Sequence, residues 1–510
     1  MVGSASGVIQ LSGTGLAPDD VIAVARAGAR VELSDEARRT MDESAAVVAR
    51  IAESDEPAYG VSTGFGALAI VAIPDERREE LQRALVRSHA AGMGPPVEAE
   101  VVRAMMLLRA RTLAMGYSGA RPLVADTMLA LLNAGVTPVV PEHGSLGASG
   151  DLAPLAHCGL VLIGEGEAHT AGGARVSGAD ALQATGVEPI TLIAKEGLAL
   201  INGTDGMLGM LLLGLHDLAL LLRVADVTAA MSVEALLGTD RAFADDLVAL
   251  RPQPGQQLSA ANLRRLLAGS LIVASHRYGD DRVQDAYSLR CAPQVAGAAR
   301  DAVAHAARVA DAELLSAIDN PMVLPDGRVE SCGNFHGAPL AHALDFLAIA
   351  SADVGSIAER RTDRLLDFAR SYGLPPFLTE DAGVNSGLMI GQYTQAAMVA
   401  ENRRLATPAS VDSVPTSAMQ EDHVSMGWGA ARKLRRSVRN LGRILAVELV
   451  CAAAGLDFRA PLEPGPGTTA ALTAVRSRVA GPGPDRWVAP DLAAAEELIW
   501  SGELIAAVEA

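Results

Sequence analysis

An Ala-Ser-Gly triplet at residues 148–150, set in the segment GSLGASGD, is a stretch whose residue types could do chemistry. If the chain bends tightly there, the amide nitrogen of Gly150 can attack the carbonyl carbon of Ala148 and close a five-membered ring. Loss of two waters then gives a 4-methylidene-imidazol-5-one, in which the former β-carbon of Ser149 is an electrophilic alkene carbon. Glycine permits the close approach, serine supplies the leaving hydroxyl, and alanine keeps the bend uncrowded. The alternative is an ordinary flexible loop, and the triplet alone leaves both open.

Other chemistries fit this chain poorly. A serine-hydrolase elbow needs G-x-S-x-G, but the second residue after Ser149 is Asp151. The glycines Gly144, Gly147 and Gly150 are spaced G-x-x-G-x-x-G, which is not the dinucleotide fingerprint. The ten histidines form no H-E-x-x-H pair and no Cys/His spacing typical of zinc. We therefore expect neither a metal nor a nucleotide cofactor.

The elements that must position the triplet are predicted to be mainly helices. Half of the 510 residues are apolar but only 3% are aromatic. The core is therefore built chiefly from Ala, Leu and Val, and Ala and Leu are strong helix formers. One predicted helix, about 40 Å long, carries a stripe at alternating steps of four and three residues. The stripe consists of Leu340, Leu344, Leu347, Ser351, Val354, Ala358 and Leu365, with Arg361 in the remaining heptad position. Such helices need partners, which predicts a bundle.

The pattern of predicted helices, β-prone pieces and glycine-rich loops divides the sequence into three regions. Residues 1–205 mix short β-prone pieces with helices and glycine-rich loops, residues 206–460 form a central bundle of long helices, and residues 461–510 are a short helical tail. The apolar stretch 206–227 is long enough to span a membrane. Its charged and polar residues favour a buried core helix instead. These are His216, Asp217, Arg223 and Asp226.

Charge and cysteine content limit the partners and the compartment. The formal net charge of −18 opposes binding to a phosphate backbone, so we expect no nucleic-acid partner. The four cysteines form no C-x-x-C pair, which suits a reducing compartment. The first residues lack a basic region followed by a long apolar run, so we expect no signal peptide. Together these features predict a cytoplasmic protein with no membrane partner.

Eight segments carry a resemblance to a known family. Besides GSLGASGDLAPLAH at 144–157, they are YGVSTGFGAL (59–68), SHAAGMG (88–94), EGLALINGT (196–204), VQDAYSLRCAPQV (283–295), DNPMV (319–323), GNFHGAPLA (333–341) and MQEDHVSMG (419–427). In this order they resemble the signature segments of the aromatic amino-acid lyase family. The resemblance implies a mainly α, fumarase/aspartase-like architecture and a carbon–nitrogen lyase. It also implies that Ala148, Ser149 and Gly150 mature to the ring (MIO), and that the enzyme is a homotetramer whose active sites combine three chains.

The resemblance also implies roles for individual residues. Tyr59, in a loop that could close over substrate, would be the base that takes the β-proton. Arg290 would hold the substrate carboxylate as a bidentate partner. Tyr287, three residues earlier, would face the same way if the segment is helical, and would donate to the amino group or to the ring. Asn202 and Gln284 would hydrogen-bond the ring and the substrate.

Two further positions, His89 and Glu421, bear on the choice of substrate. Both fit an imidazole, which needs polar partners at its edge. A buried glutamate that faced a phenyl ring would be left unpaired, at a cost of about 1–3 kcal/mol. The expected substrate is therefore L-histidine, converted to trans-urocanate and ammonia as the first step of histidine catabolism. Phe335 would pack on the ring as an apolar wall.

Several alternatives remain open. A phenylalanine or tyrosine ammonia-lyase, or a 2,3-aminomutase, would use the same loop with a different pocket, and a non-catalytic helical scaffold would keep only the shape. The division of the base role between Tyr59 and Glu421 is also open. Ser62 stands where much of the family has asparagine, and Asp205 where many members have glutamine, which bears on fine positioning.

Overall fold

The computed structural model describes residues 7–53, 60–64, 66–68 and 70–510. They are mainly helical, which confirms the predicted fold class. The helices are α1 (Pro18–Ala27), α2 (Asp35–Ala52), α3 (Arg78–His89), α4 (Ala99–Ala114), α5 (Pro122–Asn133), α6 (Leu152–Leu162), α7 (Gly178–Thr185), α8 (Glu196–Ile201), α9 (Asp205–Ala235), α10 (Asp245–Ala249), α11 (Pro254–Leu267), α12 (Leu271–Ser275), α13 (Tyr287–Arg290), α14 (Ala292–Leu314), α15 (Ala338–Leu366), α16 (Met389–Leu405), α17 (Gly427–Asp457), α18 (Pro466–Arg476), α19 (Ala489–Trp500) and α20 (Glu503–Glu509). The strands are β1 (Ile9–Leu11), β2 (Val31–Leu33), β3 (Met93–Pro96), β4 (Thr137–Pro138), β5 (Pro141–His143), β6 (Glu167–His169), β7 (Arg175–Ser177), β8 (Met322–Val323) and β9 (Val329–Glu330).

The chain folds into two compact units, each assembled from three separate stretches. Unit 1 comprises Met1–Leu213, Ala307–Leu344 and Pro408–Arg432. Unit 2 comprises Gly214–Ala306, Asp345–Thr407 and Lys433–Ala510. The three regions 1–205, 206–460 and 461–510 divide the chain along the sequence, and they stay a prediction.

Helix α4 is the buried centre of the first part of unit 1. Every residue from Val101 to Ala114 is buried, and α1, α2, α5 and α6 pack against this helix. Its arginines are buried as well, so each needs acceptors. Arg103 donates from Nη2 to the carbonyl of Val24 (2.8 Å) and from Nη1 to that of Leu132 (3.1 Å). These carbonyls lie in the last turns of α1 and α5, among the terminal carbonyls that lack the regular i+4 partner of a helix. Arg103 therefore ties three helices together.

The strands of unit 1 are short, and one of them leads into the triplet. Strands β3 and β5 pair antiparallel, with Met93 opposite His143. Strands β4, β6 and β7 form a three-stranded sheet, β1 pairs parallel with β2, and β8 pairs antiparallel with β9. Because β5 ends at His143 and α6 begins at Leu152, residues 148–150 lie in a connection between a strand and a helix.

The predicted stripe on α15 is confirmed. Each of its eight positions, including Arg361, is at most 1% exposed. The buried guanidinium of Arg361 donates to the carboxylate of Glu448 on α17, with Nη2 3.0 Å from Oε2. Glu448 also accepts from the hydroxyls of Thr228 (2.8 Å) and Ser232 (2.9 Å) on α9. One carboxylate thus joins three long helices inside unit 2.

Two helical stretches, Glu196–Ala235 and Ala338–Leu366, are long and apolar enough to cross a membrane by length and composition. In the first, 72% of the most apolar window is buried inside the protein. Two of its acidic residues are buried and paired in unit 2, where Asp217 pairs with Arg435 (3.0 Å) and Asp226 with Arg300 (2.6 Å). This burial and pairing are what a core helix requires.

Candidate active site

The triplet lies in a tightly packed loop of unit 1. Gly147 and Gly150 have φ of +63° and +77°, in the left-handed region that favours glycine. A β-carbon on Gly150 would lie 2.8 Å from the nitrogen of Gly203 and still closer to its carbonyl oxygen. The next residue is anchored to the same group, because the amide of Asp151 donates to the Gly203 oxygen at 2.6 Å. Residues 150 and 151 are therefore held against residue 203.

Asn202 contacts the triplet directly. The hydroxyl of Ser149 donates to Asn202 Oδ1 at 2.6 Å. Asn202 is 1% exposed, and its Nδ2 donates to Asp319 Oδ1 (3.1 Å) and to the carbonyl of Asn320 (2.9 Å). Asn202 is brought to this position by α8, which ends one residue before it. The structure therefore brings one predicted binding residue together with the predicted precursor of the electrophile.

Asp151 is a buried carboxyl beside the triplet that the sequence did not single out for a role. It is 0% exposed, and it accepts from Ser145 Oγ (2.9 Å) and from the amide of Met207 (2.9 Å). Burial raises its pKa to about 7, against the lowering effect of these hydrogen bonds. The carboxyl fastens the start of α6 to the start of α9. Its place directly after the triplet is the signal that could have found it.

His89 and Glu421 lie within electrostatic reach of each other in unit 1. His89 is the last residue of α3, and its Nδ1 lies 2.9 Å from the carbonyl of Leu85. A carbonyl only accepts, so Nδ1 carries the hydrogen in this contact and Nε2 of the neutral ring is an acceptor. Burial lowers the pKa of His89, opposed by the Leu85 carbonyl and by the charge of Glu421. Glu421 is half-buried and accepts from Thr416 Oγ1 at 2.9 Å.

The segments that carry Phe335 and Glu421 contact each other and the triplet loop. His336, next to the half-buried Phe335, stacks on His423 with ring centroids 5.8 Å apart. Further along, Ser425 Oγ donates to the carbonyl of Gly147 (3.0 Å). The amide of Met426 likewise donates to the carbonyl of Leu146 (2.8 Å). Unit 1 thus contains the triplet, Asn202, His89, Phe335 and Glu421.

The other predicted binding residues lie in unit 2. Tyr287 and Arg290 are the ends of the one-turn helix α13, and the guanidinium carbon of Arg290 stands 4.5 Å from the centre of the Tyr287 ring. Arg290 Nε donates to the carbonyl of Asp285 at 2.9 Å. Tyr287 is 70% exposed, and Gln284 is exposed too. These side chains are therefore presented at the surface of the chain.

The predicted base, Tyr59, lies outside the described residues. Of the two departures from the family pattern, Ser62 is buried and its carbonyl accepts from the amide of Ile73 at 2.9 Å. Asp205 is 2% exposed, 3.4 Å from Nη1 of the buried Arg109, and accepts from Thr112 Oγ1 at 3.3 Å. A carboxylate at position 205 therefore has a buried cation beside it.

Among the residues the structure describes, no group of three or more His, Cys, Asp or Glu side chains is arranged to hold a metal ion. The polar groups around the triplet are hydroxyls, amides and a carboxyl that bind one another or the backbone.

Comparison with known proteins identifies the family of the chain. The family model for aromatic amino acid lyases matches residues 16–477. The chain belongs to the aromatic amino acid lyase family. It is 61% identical over 497 residues to a histidine ammonia-lyase of Streptomyces avermitilis, with 97% of each chain covered. It is 54% identical over 499 residues to one of Symbiobacterium thermophilum, with 98% of each chain covered. The chain is accordingly a carbon–nitrogen lyase.

Solved structures of the family have the same fold. The crystal structure of histidine ammonia-lyase from Trypanosoma cruzi superposes with a TM-score of 0.91 at 41% identity, covering 99% of this chain and 95% of that one. A tyrosine aminomutase from Streptomyces globisporus gives a TM-score of 0.93 at 38% identity, covering 99% and 98%. The fold is therefore common to lyases and aminomutases, and the choice between them depends on the side chains of the site.

Proposed function

We propose that this enzyme eliminates ammonia from L-histidine to give trans-urocanate, without oxidation, as the first step of histidine degradation. The observation that carries the proposal is the hydrogen bond from Ser149 to Asn202 in a loop closed against Gly203. The high identity to histidine ammonia-lyases supports the same reaction.

The residues present fit a prosthetic group made from Ala148, Ser149 and Gly150. Only glycine is accommodated at position 150, because a β-carbon there would overlap the backbone of Gly203. The anchored amide of Asp151 fixes the far side of the bend. Once formed, the group supplies an electrophilic carbon that makes the substrate amine a better leaving group. No metal or nucleotide is part of the proposal.

The protein residues bind the substrate and move its proton. Arg290 holds the carboxylate, since a guanidinium matches two carboxylate oxygens. Tyr287 donates a hydrogen bond to the amino group or to the ring, and Phe335 packs on the ring as an apolar wall. The amides of Asn202 and Gln284 hydrogen-bond the prosthetic group and the substrate. Tyr59 takes the β-proton, a contribution of roughly 10²–10⁴-fold for a positioned base.

Selection of histidine is assigned to His89 and Glu421. Burial lowers the pKa of His89, so its ring is neutral near pH 7 and offers Nε2 as an acceptor. Glu421 offers a carboxylate close enough to act on that ring. An imidazole substrate presents N–H donors to such a pair, whereas a phenyl ring presents none. This favours L-histidine over L-phenylalanine.

We further propose a cytoplasmic homotetramer whose active sites combine residues from several chains. Tyr287 and Gln284 are exposed in the single chain, although both are assigned to substrate, and the neighbouring Val283 is 99% exposed. Association with other copies would bury these side chains. The net charge of −18 supports the absence of a nucleic-acid partner.

The test is turnover of L-histidine, L-tyrosine and L-phenylalanine, with products resolved by chromatography and urocanate followed by its ultraviolet absorbance. We expect urocanate and ammonia from L-histidine, and loss of activity in Ser149→Ala. The intact mass should be lower than the encoded mass by two waters. Inactivity on L-histidine with clear formation of a β-amino acid from L-tyrosine would instead identify an aminomutase.

A further inference from the structure

The function proposed above gives no role to a fully buried lysine near the triplet. Lys195 is 0% exposed, and its φ of +65° lies in a backbone region that a residue with a side chain seldom adopts. Its Nζ donates to Asp319 Oδ2 (2.7 Å) and to the carbonyl of Ser118 (3.0 Å). Burial lowers the pKa of Lys195, and the charge of Asp319 acts against that shift. A costly charge on a disfavoured backbone calls for a functional explanation.

Asp319 connects this lysine to the triplet. Lys195 and Asn202 flank the two ends of α8, and both reach the one carboxylate of Asp319, which is 0% exposed. Lys195 occupies Oδ2, whereas Oδ1 accepts from Asn202 Nδ2 (3.1 Å) and from the amide of Asn320 (2.7 Å). An unbroken series of hydrogen bonds therefore runs from Lys195 through Asp319 and Asn202 to Ser149.

These hydrogen bonds determine the orientation of the Asn202 side-chain amide. The two neighbours of its Nδ2 are a carboxylate and the carbonyl of Asn320, both of which only accept. A flipped amide would direct its own oxygen at these two acceptors and leave buried polar atoms unpaired. The pairing with Lys195 keeps Asp319 an acceptor. Asn202 Oδ1 is consequently directed at Ser149, where it can accept an O–H or N–H hydrogen.

We propose that Lys195 and Asp319 are positioning residues, which hold the amide oxygen of Asn202 toward Ser149 for maturation of the triplet and for turnover. The proposal rests on the function proposed above, because it assigns Asn202 to the same site. A further contact holds the next residue, because Asn320 Oδ1 accepts from the amide of Cys332 at 2.8 Å. Asn320, whose own amide donates to the Asp319 carboxylate, is thus tied to the segment that leads to Phe335.

The test uses Asp319→Asn and Lys195→Met in the full-length enzyme. An amide at position 319 donates as readily as it accepts, so it no longer forces the orientation of Asn202. We expect a smaller fraction of chains with the two-water mass deficit, and in matured chains a kcat lower by about tenfold, the value of one lost hydrogen bond, with a smaller change in KM. Lys195→Arg keeps the cation, so its matured fraction and its kcat should both lie between those of Lys195→Met and the wild type.

Two controls separate positioning from mere stability. Arg435→Met breaks the buried pair with Asp217 in unit 2. It should lower the midpoint of unfolding but leave the mass deficit and kcat unchanged. The double variant Lys195→Met/Asp319→Asn has no buried charge at this pair, so it should fold even where a single variant does not. We expect it to remain poor in maturation and turnover.

The outcomes distinguish the two proposals. A wild-type chain at its full encoded mass would refute the prosthetic group and hence the proposed function. A wild-type chain with the deficit, together with a double variant that matures and turns over like the wild type, would overturn the positioning role alone. If Asp319→Asn and Lys195→Met both have the kcat and the mass of the wild type, the positioning role is likewise overturned.

Discussion

Replacement of Gly150 by alanine tests the packing that makes ring closure possible. At φ +77° an alanine costs about 1–2 kcal/mol relative to glycine. Its β-carbon would also lie 2.8 Å from the nitrogen of Gly203, with the carbonyl of that residue nearer still. Because both partners are backbone, relief requires a shift of the loop, and overpacking of this kind costs about 1–3 kcal/mol. We therefore predict a loss of about 2–5 kcal/mol in the free energy of unfolding.

The measurement must separate this steric cost from the loss of the ring itself. Ser149→Ala removes the leaving hydroxyl, so it blocks maturation without adding an atom to the bend. We therefore compare urea unfolding of Ser149→Ala with that of Ser149→Ala/Gly150→Ala. The control is Ser149→Ala/Gly186→Ala, because Gly186 has φ +73° and no atom within 4 Å of the point where an added β-carbon would lie. The control should lose only the backbone cost of about 1–2 kcal/mol.

Equal stability of the two double variants would refute the reasoning, since it would mean that Gly203 does not confine residue 150. In an otherwise native chain, Gly150→Ala should retain the full encoded mass. A mass deficit of two waters in that variant would show that the ring forms without glycine at position 150, which would also contradict the reasoning.

Three further predictions address the pocket, the bundle and the buried carboxyl. Glu421→Gln should lower kcat/KM for L-histidine by about 10- to 100-fold, the value of a hydrogen bond to a charged group, and an unchanged value would remove Glu421 from substrate recognition. Arg361→Met leaves the buried carboxylate of Glu448 without its cation and should lower the free energy of unfolding in urea by about 3–5 kcal/mol. The double variant Arg361→Met/Glu448→Gln should recover most of that loss. Failure of the double variant to recover would contradict the pairing. Burial raises the pKa of Asp151 to about 7, above its value in the unfolded chain. Its stabilising contribution is therefore complete below about pH 4 and lost as the pH rises toward about 7. The free energy of unfolding relative to Asp151→Asn should fall over that range, and a flat difference would contradict the shift.

The long helices could be predicted because their signal is local and repeated. On α15 the apolar positions recur every three or four residues, so the buried face follows from helix geometry alone. All eight stripe positions are buried as predicted, and Arg361 is buried with them. What periodicity cannot give is the partner of Arg361. Glu448 lies 87 residues away, and only the packed bundle brings the two together.

The part of the site that could be predicted from the sequence is the triplet, because its reacting groups belong to adjacent residues. Ala148, Ser149 and Gly150 are adjacent, and the bend between them follows from the two glycines of left-handed conformation. The roles of Tyr59 and Tyr287 come from the resemblance instead, because nothing in their neighbouring residues defines a substrate.

Asp319 shows where sequence reasoning reaches its limit. The segment DNPMV is recognisable in the sequence, yet neither its first residue nor Lys195 receives a role there, since each is an ordinary charged residue when taken alone. The two residues are 124 positions apart in the sequence, and in the folded chain Lys195 Nζ donates to Asp319 Oδ2 at 2.7 Å. Asn202 binds the other oxygen of the same carboxylate. A buried charge is stable only when it is paired and hydrogen-bonded. The fold must therefore bring Lys195 and Asp319 together for Asn202 to face Ser149 at all, so the orientation of that amide depends on tertiary structure.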